Sequence, residues 1–242
     1  MATTPLDIPV LRATRGERSV YTWGALAAIA IAFAGFAPSY YLKGMFGTPE
    51  LSSLKHLHGV VMSAWFLLFF VQARLVAHGR TDIHRMLGVA GIVLAVLVVY
   101  MGLSNGIASA RAGFAPPGIP PLVFLVLPVG EMITFTGLVT AAVLLRKRSP
   151  WHKRLMLVAS LAMLTPAWAR IVILATGLAI PPLFFALTDV VILACAAYDW
   201  RQYRRFHPAF AWGLGAVVLV QVGRLIVSQT EAWTEFAKWV IA

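Results

Sequence analysis

Seven apolar stretches, each long enough to cross a lipid bilayer, constrain most strongly what this chain can fold into. A membrane-spanning helix needs about 20 mostly apolar residues, each rising about 1.5 Å. The stretches lie at about 20–42, 57–78, 84–108, 121–145, 152–176, 180–199 and 208–228. Of the 242 residues, 12% are charged, whereas a soluble domain has roughly 25%. The sequence therefore predicts an all-α, polytopic membrane helix bundle of seven transmembrane helices.

The chain divides into three predicted parts. Residues 1–19 are polar and are expected to form a cytoplasmic tail. Residues 20–228 form the seven-helix transmembrane domain. Residues 229–242 predict an amphipathic helix on the outer surface, with Trp233 and Trp239 at the level of the lipid headgroups.

The distribution of Lys and Arg predicts the orientation of the chain. With the N-terminus inside, 14 of the 20 Lys and Arg residues fall on the cytoplasmic side. By the positive-inside rule this places the N-terminus in the cytoplasm and the C-terminus outside. Membrane topology also accounts for the net charge of +11. The expected partners of the chain are therefore the lipid bilayer and another membrane protein in a complex, and not nucleic acid.

Four ionisable residues lie inside the apolar stretches: Glu131, Arg170, Asp189 and Arg224. A charge near the centre of a membrane helix costs roughly 2.5–3.5 kcal/mol on insertion scales, so such residues are functional candidates. Counted along their helices, all four lie in the outer half of the bilayer. We therefore expect opposite charges to pair there, with Glu131 and Arg170 as the first choice of partners.

Two interpretations of these charges remain open. With His58, which opens the second stretch on the same side, they would form a pocket for a small polar or amphiphilic ligand such as a quinone or a lipid. That pocket would be lined by His58, Glu131, Arg170, Asp189 and Arg224. Alternatively, a buried ion pair only locks helix packing, and Arg224 extends to the outer headgroups.

Two histidines predict a second type of site. His84 and His152 each start a stretch that runs in the same direction from the cytoplasmic boundary. Imidazoles on neighbouring helices can be the axial ligands of a haem b. Against this, interfacial histidines beside basic loops are often only solvated. A b-type haem redox protein is thus one alternative function, and a proton- or ion-coupled transporter, which would use the buried acids, is another.

Several segments resemble a family of uncharacterised bacterial seven-helix membrane proteins. They are HLHGVVMSAWFLLFFVQ, HRMLG, HKRLM, TPAWAR and HPAFAWG. The resemblance implies a multi-pass protein of the bacterial inner membrane and implies no activity. More distantly, the histidines of the third and fifth stretches are similar to those of di-haem transmembrane cytochromes, which use two His pairs on four consecutive helices. Because the fourth stretch has Glu131 and no His, that similarity leaves at most one haem.

Two other seven-helix classes are excluded by their chemistry. A retinal protein needs a lysine in its last helix, and the stretch 208–228 contains none. A zinc-dependent intramembrane hydrolase needs several histidines at metal-binding spacing, and that stretch has no His either. No catalytic residue and no metal site are assigned, and the sequence leaves open whether the protein is an enzyme.

Overall fold

The computed structural model describes residues 15–242, with side chains from residue 20 onward. These residues form α-helices and one π-helical turn, Ala37–Tyr41, and they contain no strand. The α-helices are α1 Arg15–Phe36, α2 Ser53–Ala77, α3 Thr81–Arg111, α4 Pro121–Phe124, α5 Val126–Leu144, α6 Ser149–Ala162, α7 Thr165–Thr176, α8 Pro181–Tyr203, α9 Pro208–Val227 and α10 Glu231–Ile241.

Seven segments of the described chain are long and apolar enough to cross a membrane. They are α1 with the π-helical turn, α2, α3, α4 with α5, α6 with α7, α8, and α9. The predicted all-α bundle with seven membrane-spanning segments is confirmed. Most of the predicted tail 1–19 lies outside the described residues, and α1 begins at Arg15, before the predicted start.

Besides α1, three spans begin earlier than predicted, because polar residues form their first turns. The hydroxyl of Ser52 accepts a hydrogen bond from the backbone N–H of Lys55 and caps α2. Helices α3 and α6 likewise start before the apolar stretches. As a result, His84 and His152 are not the first residues of their helices; each is in the first turn, at the fourth position.

The fifth span is broken in its middle. Helix α6 ends at Ala162, and α7 begins at Thr165 with Pro166 in its first turn. Proline lacks the N–H that would bond the carbonyl four residues earlier, and the Thr165 hydroxyl donates to that Ala162 carbonyl oxygen at 2.9 Å. Helix α6 packs against α5 and α9, whereas α7 packs mainly against α1 and α8. The break therefore turns the second half of the span away from α5.

Close contact between α1 and α7 depends on a glycine. A Cβ atom at Gly35 would lie 2.5 Å from the backbone oxygen of Ala167. Only the missing side chain lets the two helices approach this far. Helix α7 is thereby held against α1. It ends at Thr176, and the next residue, Gly177, has a φ of 78°, the left-handed conformation common just after helix ends.

The C-terminal helix α10 packs against α3 and α4. Trp233 is buried there, and its Nε1–H donates to the backbone oxygen of Leu122 at 2.9 Å. Arg111 Nε donates a hydrogen bond to the backbone oxygen of Ile241, the last residue of α10, at 3.0 Å. Protein atoms surround the Trp233 ring, and its depth at headgroup level stays a prediction. Trp239 is 75% exposed, and its headgroup position stays a prediction.

The two ends of the bundle differ in charge. We call the end with the turns at 78–80, 145–148 and 204–207 the basic end, because Arg and Lys concentrate there. The other end, which carries α10, is the distal end. The positive-inside rule predicts that the basic end faces the cytoplasm.

Candidate functional site

The five predicted ligand-binding residues all lie in the distal half of the bundle, where the structure divides them into two groups. Glu131, Asp189 and Arg224 are on α5, α8 and α9. His58 and Arg170 are on α2 and α7. The two groups have different partners and different degrees of exposure.

Glu131 pairs with Arg224 and not with Arg170. Arg224 Nη1 lies 2.9 Å from Glu131 Oε2, and the side chains are 4% and 5% exposed. Arg224 reaches α5 because residue 130 is glycine; a Cβ atom there would lie 2.5 Å from Arg224 Nε. The predicted Glu131–Arg170 pair is wrong, since the break in the fifth span directs α7 towards α1 and α8.

The Glu131–Arg224 pair is incompletely hydrogen-bonded. Glu131 Oε1 and Arg224 Nε are both buried and make no hydrogen bond of acceptable geometry; the Thr165 hydroxyl, which lies near the Glu131 carboxylate, donates to the Ala162 oxygen instead. The guanidinium makes one further, long contact of 3.5 Å from Nη1 to the Leu127 oxygen, and it lies 5.2 Å from the ring of Phe185. Buried polar atoms without partners are uncommon in folded proteins, so this pair has spare capacity for another group.

Asp189 is linked to the Glu131–Arg224 pair through α9, which carries both Arg224 and the hydrogen-bond partner of Asp189. Gln221 Nε2 donates to Asp189 Oδ1 at 3.0 Å. Gln221 is buried one turn from Arg224, whereas Asp189 is only half-buried. Asp189 is therefore held by a neutral amide and has no cationic partner within ion-pair distance among the described residues.

Arg170 has no carboxylate partner among the described residues. Its Nη1 donates to the Pro166 oxygen of its own helix at 3.0 Å, and its guanidinium lies 4.0 Å from the centre of the Phe36 ring. The side chain is exposed in the distal half of the fifth span.

His58 lies close enough to Arg170 for their charges to interact. Its Nδ1 is 3.2 Å from the backbone oxygen of Met101 on α3. A carbonyl oxygen only accepts hydrogen bonds, so Nδ1 carries the proton and the neutral ring keeps a free lone pair on Nε2. One turn further along α3, the buried Oδ1 of Asn105 has no hydrogen-bond partner.

The two predicted haem ligands come together at the basic end. The ring centres of His84 and His152 are 6.3 Å apart, and the ring planes are inclined by 79°. His152 Nδ1 is 2.8 Å from the Ala142 oxygen of α5, so this nitrogen carries the proton. His84 Nδ1 is buried without a hydrogen-bond partner.

A second buried ion pair, Arg154–Asp199, was not predicted from the sequence. Arg154 donates from both Nε and Nη2 to Asp199 Oδ2, at 3.0 and 2.9 Å, and from Nη1 to the Pro150 oxygen at 2.9 Å. Tyr21 donates to the other carboxylate oxygen at 3.4 Å. Both charged residues lie near helix ends beside basic turns, a position typical of solvated side chains. The sequence signal that could have indicated burial is the helical spacing of Arg154 from the apolar residues of α6.

His207 lies beside that pair and caps α9. Its Nδ1 accepts the backbone N–H of Ala209 at 3.1 Å, and its ring packs edge-on against Trp151. Burial lowers the pKa of His207 below its ordinary value, and the positive charge of Arg154 lowers it further. The neutral ring is thus favoured, which keeps Nδ1 available as the cap.

Comparison with protein-family models, curated proteins and solved structures found no match to this chain. The resemblance to bacterial seven-helix proteins therefore stays a prediction, and any function must be inferred from the residues alone.

Proposed function

We propose that this chain is a multi-pass protein of a bacterial inner membrane that binds a small polar or amphiphilic ligand between Arg170 and His58. The basic end faces the cytoplasm, and the ligand site lies in the outer leaflet. The observation that carries the proposal is the guanidinium of Arg170, which lies within a membrane-spanning segment against the Phe36 ring and has no carboxylate partner among the described residues. Glu131, Asp189 and Arg224 form the neighbouring polar group in the same half.

A lone arginine in this position favours a ligand that accepts hydrogen bonds or carries negative charge. An unpaired charge inside a membrane costs roughly 2.5–3.5 kcal/mol on insertion scales, and an anion offsets that cost. Nη1 is used by the Pro166 oxygen, whereas Nε and Nη2 remain as parallel donors. This fork matches a carboxylate, a phosphate or a quinone carbonyl.

His58 adds the complementary property. Since Nδ1 donates to the Met101 oxygen, Nε2 is the atom left to accept a hydroxyl of the ligand. A molecule with an acceptor group for Arg170 and a hydroxyl for His58 fits both side chains. Phosphate monoesters, protonated carboxylic acids and quinols all have this pair of groups. Their apolar tails would lie among the exposed apolar side chains that face the bilayer.

The ring of Phe36 supports this role of Arg170. It lies against one side of the guanidinium at 4.0 Å from the ring centre. A cation stacked in this way is stabilised by the aromatic face while the edge that carries its N–H groups stays available. The arginine is therefore held in place without using its remaining donors.

Decyl phosphate tests the proposal, with decanol as the uncharged control, on protein purified in a neutral detergent. We expect decyl phosphate to bind the wild-type protein and raise its unfolding temperature more than decanol does. Arg170→Gln should weaken binding about 10- to 100-fold, because a hydrogen bond to a charged group contributes about 1.5–3 kcal/mol. His58→Leu should weaken it about 3- to 10-fold, as for a neutral hydrogen bond.

Arg146→Gln is the matched control. Arg146 is exposed in a turn at the basic end, and its Nη1 donates to the Val143 oxygen three residues earlier. Removing it changes the net charge as Arg170→Gln does, but it should leave decyl phosphate binding unchanged. Equal weakening by both substitutions, or equal stabilisation by decanol, would contradict the proposed site.

A further inference from the structure

His84 and His152 bring two imidazole rings together from helices that are far apart in sequence. Each is the fourth residue of its helix, on α3 and α6. Their ring centres are 6.3 Å apart with nearly perpendicular planes. These residues are at the basic end, separate from the distal site, so their role is independent of the ligand proposed for Arg170 and His58.

The separation of the rings corresponds to two imidazoles on opposite sides of one metal. A metal–nitrogen bond is about 2.0–2.1 Å, and the nitrogen is about 1.1 Å from its ring centre. Two ligands in line therefore have ring centres about 6 Å apart, whereas two ligands at a tetrahedral angle have centres about 5 Å apart. The observed 6.3 Å agrees with the in-line arrangement.

The tautomer of His152 suits metal binding. Its Nδ1–H donates to the Ala142 oxygen at 2.8 Å, which leaves the lone pair on Nε2. A histidine that binds a metal almost always donates its other N–H to such an acceptor, and this fixes both tautomer and ring orientation.

Gln72 can fix His84 in the same way. Gln72 Nε2 donates to the backbone oxygen of His84 at 3.2 Å, so the amide lies beside this residue. Gln72 Oε1 and His84 Nδ1 are both buried without hydrogen-bond partners. A hydrogen bond from His84 Nδ1 to Gln72 Oε1 would place the proton on Nδ1 and leave the lone pair on Nε2 of His84.

The number of possible protein ligands around the two histidines indicates which kind of metal group they could bind. Among the described residues there is no group of three or more His, Cys, Asp or Glu side chains that could hold a metal ion. A bare zinc ion takes three or four protein ligands. A haem iron receives four nitrogens from the porphyrin and needs only two axial ligands.

We propose that His84 and His152 are the two axial ligands of a b-type haem at the basic end of the bundle. Arg80 and Arg148, which immediately precede α3 and α6, would supply positive charge at this end for the propionates of such a group. When bound, such a haem supplies one-electron redox chemistry. Gln72 and the Ala142 carbonyl orient the two rings and do not touch the iron.

The absorption spectrum of the full chain tests this, after expression in cells supplied with 5-aminolevulinate. We expect a Soret band, a sharp α-band on reduction with dithionite, and one haem per chain by the pyridine haemochrome assay. His84→Ala and His152→Ala should each lose the haem. His84→Met should keep haem with a shifted spectrum, since Met is also an axial ligand of haem iron.

His78→Ala is the matched control. His78 is an exposed histidine at the same end, bonded to Arg74 of its own helix, and its removal should leave the spectrum unchanged. Size-exclusion profiles show whether each variant is folded. A folded protein without a Soret band overturns the proposal, and so does a bound metal without porphyrin absorption. Neither result affects decyl phosphate binding at Arg170, which tests the distal site by itself.

Discussion

The Arg154–Asp199 pair at the basic end and the Glu131–Arg224 pair in the distal half have the same nitrogen–oxygen distance of 2.9 Å, and all four side chains are buried. They differ in how completely they are satisfied. All three guanidinium nitrogens of Arg154 have acceptors, and both oxygens of Asp199 accept hydrogen bonds. In the distal pair, Glu131 Oε1 and Arg224 Nε make no hydrogen bond of acceptable geometry.

We call the complete pair a structural lock, because all its polar groups are bonded within the protein. The incomplete pair has polar atoms that can still form hydrogen bonds with another molecule. A complete buried network rigidifies a core, whereas an incomplete one leaves groups that another molecule can satisfy. The incomplete pair lies in the same half of the bundle as Arg170, which has no carboxylate partner among the described residues. The complete pair holds together α6 and α8. Substitutions in each pair can therefore compare the two directly.

Asp199→Asn should have the largest effect on stability. It leaves Arg154 buried without a charged partner and weakens two hydrogen bonds. Breaking a buried pair in this way costs about 3–5 kcal/mol. The free energy of unfolding in mixed micelles measures it. The double variant Arg154→Met, Asp199→Leu removes both charges and should recover most of the lost stability. If it does not, the ion pair stabilises the fold beyond the mutual neutralisation of its two buried charges.

Glu131→Gln should cost somewhat less, about 3 kcal/mol, because it also leaves a buried arginine without a charged partner but weakens one hydrogen bond where Asp199→Asn weakens two. The Gln oxygen can still accept from Arg224 Nη1. The same unfolding measurement, made beside Asp199→Asn, gives the difference between the two pairs. A loss as large as that of Asp199→Asn would show that the distal pair is also a structural lock.

Gly130→Ala should lower stability by about 1–2 kcal/mol. The new methyl group would lie 2.5 Å from Arg224 Nε and 2.7 Å from its aliphatic carbons, so the arginine must shift away from Glu131. The cost lies towards the lower end for overpacking because the displaced group is a flexible side chain. Gly137→Ala, on the same helix with no atom within 4 Å of the added Cβ, is the control and should cause no loss.

The sequence predicts the spans but not which faces of the helices meet. Apolar length alone identified all seven spans, and residue counting placed Glu131, Arg170, Asp189 and Arg224 in the same half of the bundle, as the helix bounds have them; that this half is the outer one stays a prediction. Depth along a helix carries no information about rotation around it, so the predicted partner of Glu131 was wrong. The ion-pair partner of Glu131 also depends on the break before α7. Pro166 signals this break in the sequence, but only helix packing determines the direction in which α7 continues.

Asp199 shows a second limit of prediction from sequence. It lies four residues before the end of α8 and beside Arg201, a position typical of a solvated helix end. Its burial comes from α1 and α6, which contribute Tyr21 and Arg154. Composition and hydropathy describe one segment at a time, so a contact among three segments leaves no local signal.

The smallest effect is expected for the pair Lys43–Glu50, because its ions are about as close as in the two buried pairs but its carboxylate is exposed. Lys43 Nζ is 2.8 Å from Glu50 Oε1, and the Glu50 side chain is 88% exposed. The hydrogen bond from Lys43, and then its charge, lowers the pKa of Glu50 below the usual value. Any stabilisation from this pair is therefore present above the usual carboxyl pKa and is lost as the pH falls through the lowered one.

Lys43→Ala should raise the pKa of Glu50 towards its usual value, as measured by carboxyl-carbon NMR titration in micelles. The unfolding temperature at pH 7 should stay the same, because solvent screens an exposed pair. Lys55→Ala, at a nearby exposed lysine that contacts Phe114 and not Glu50, is the control and should leave that pKa unchanged. A clear loss of stability from Lys43→Ala would mean that distance alone, and not burial with complete hydrogen bonding, determines the contribution of ion pairs in this bundle.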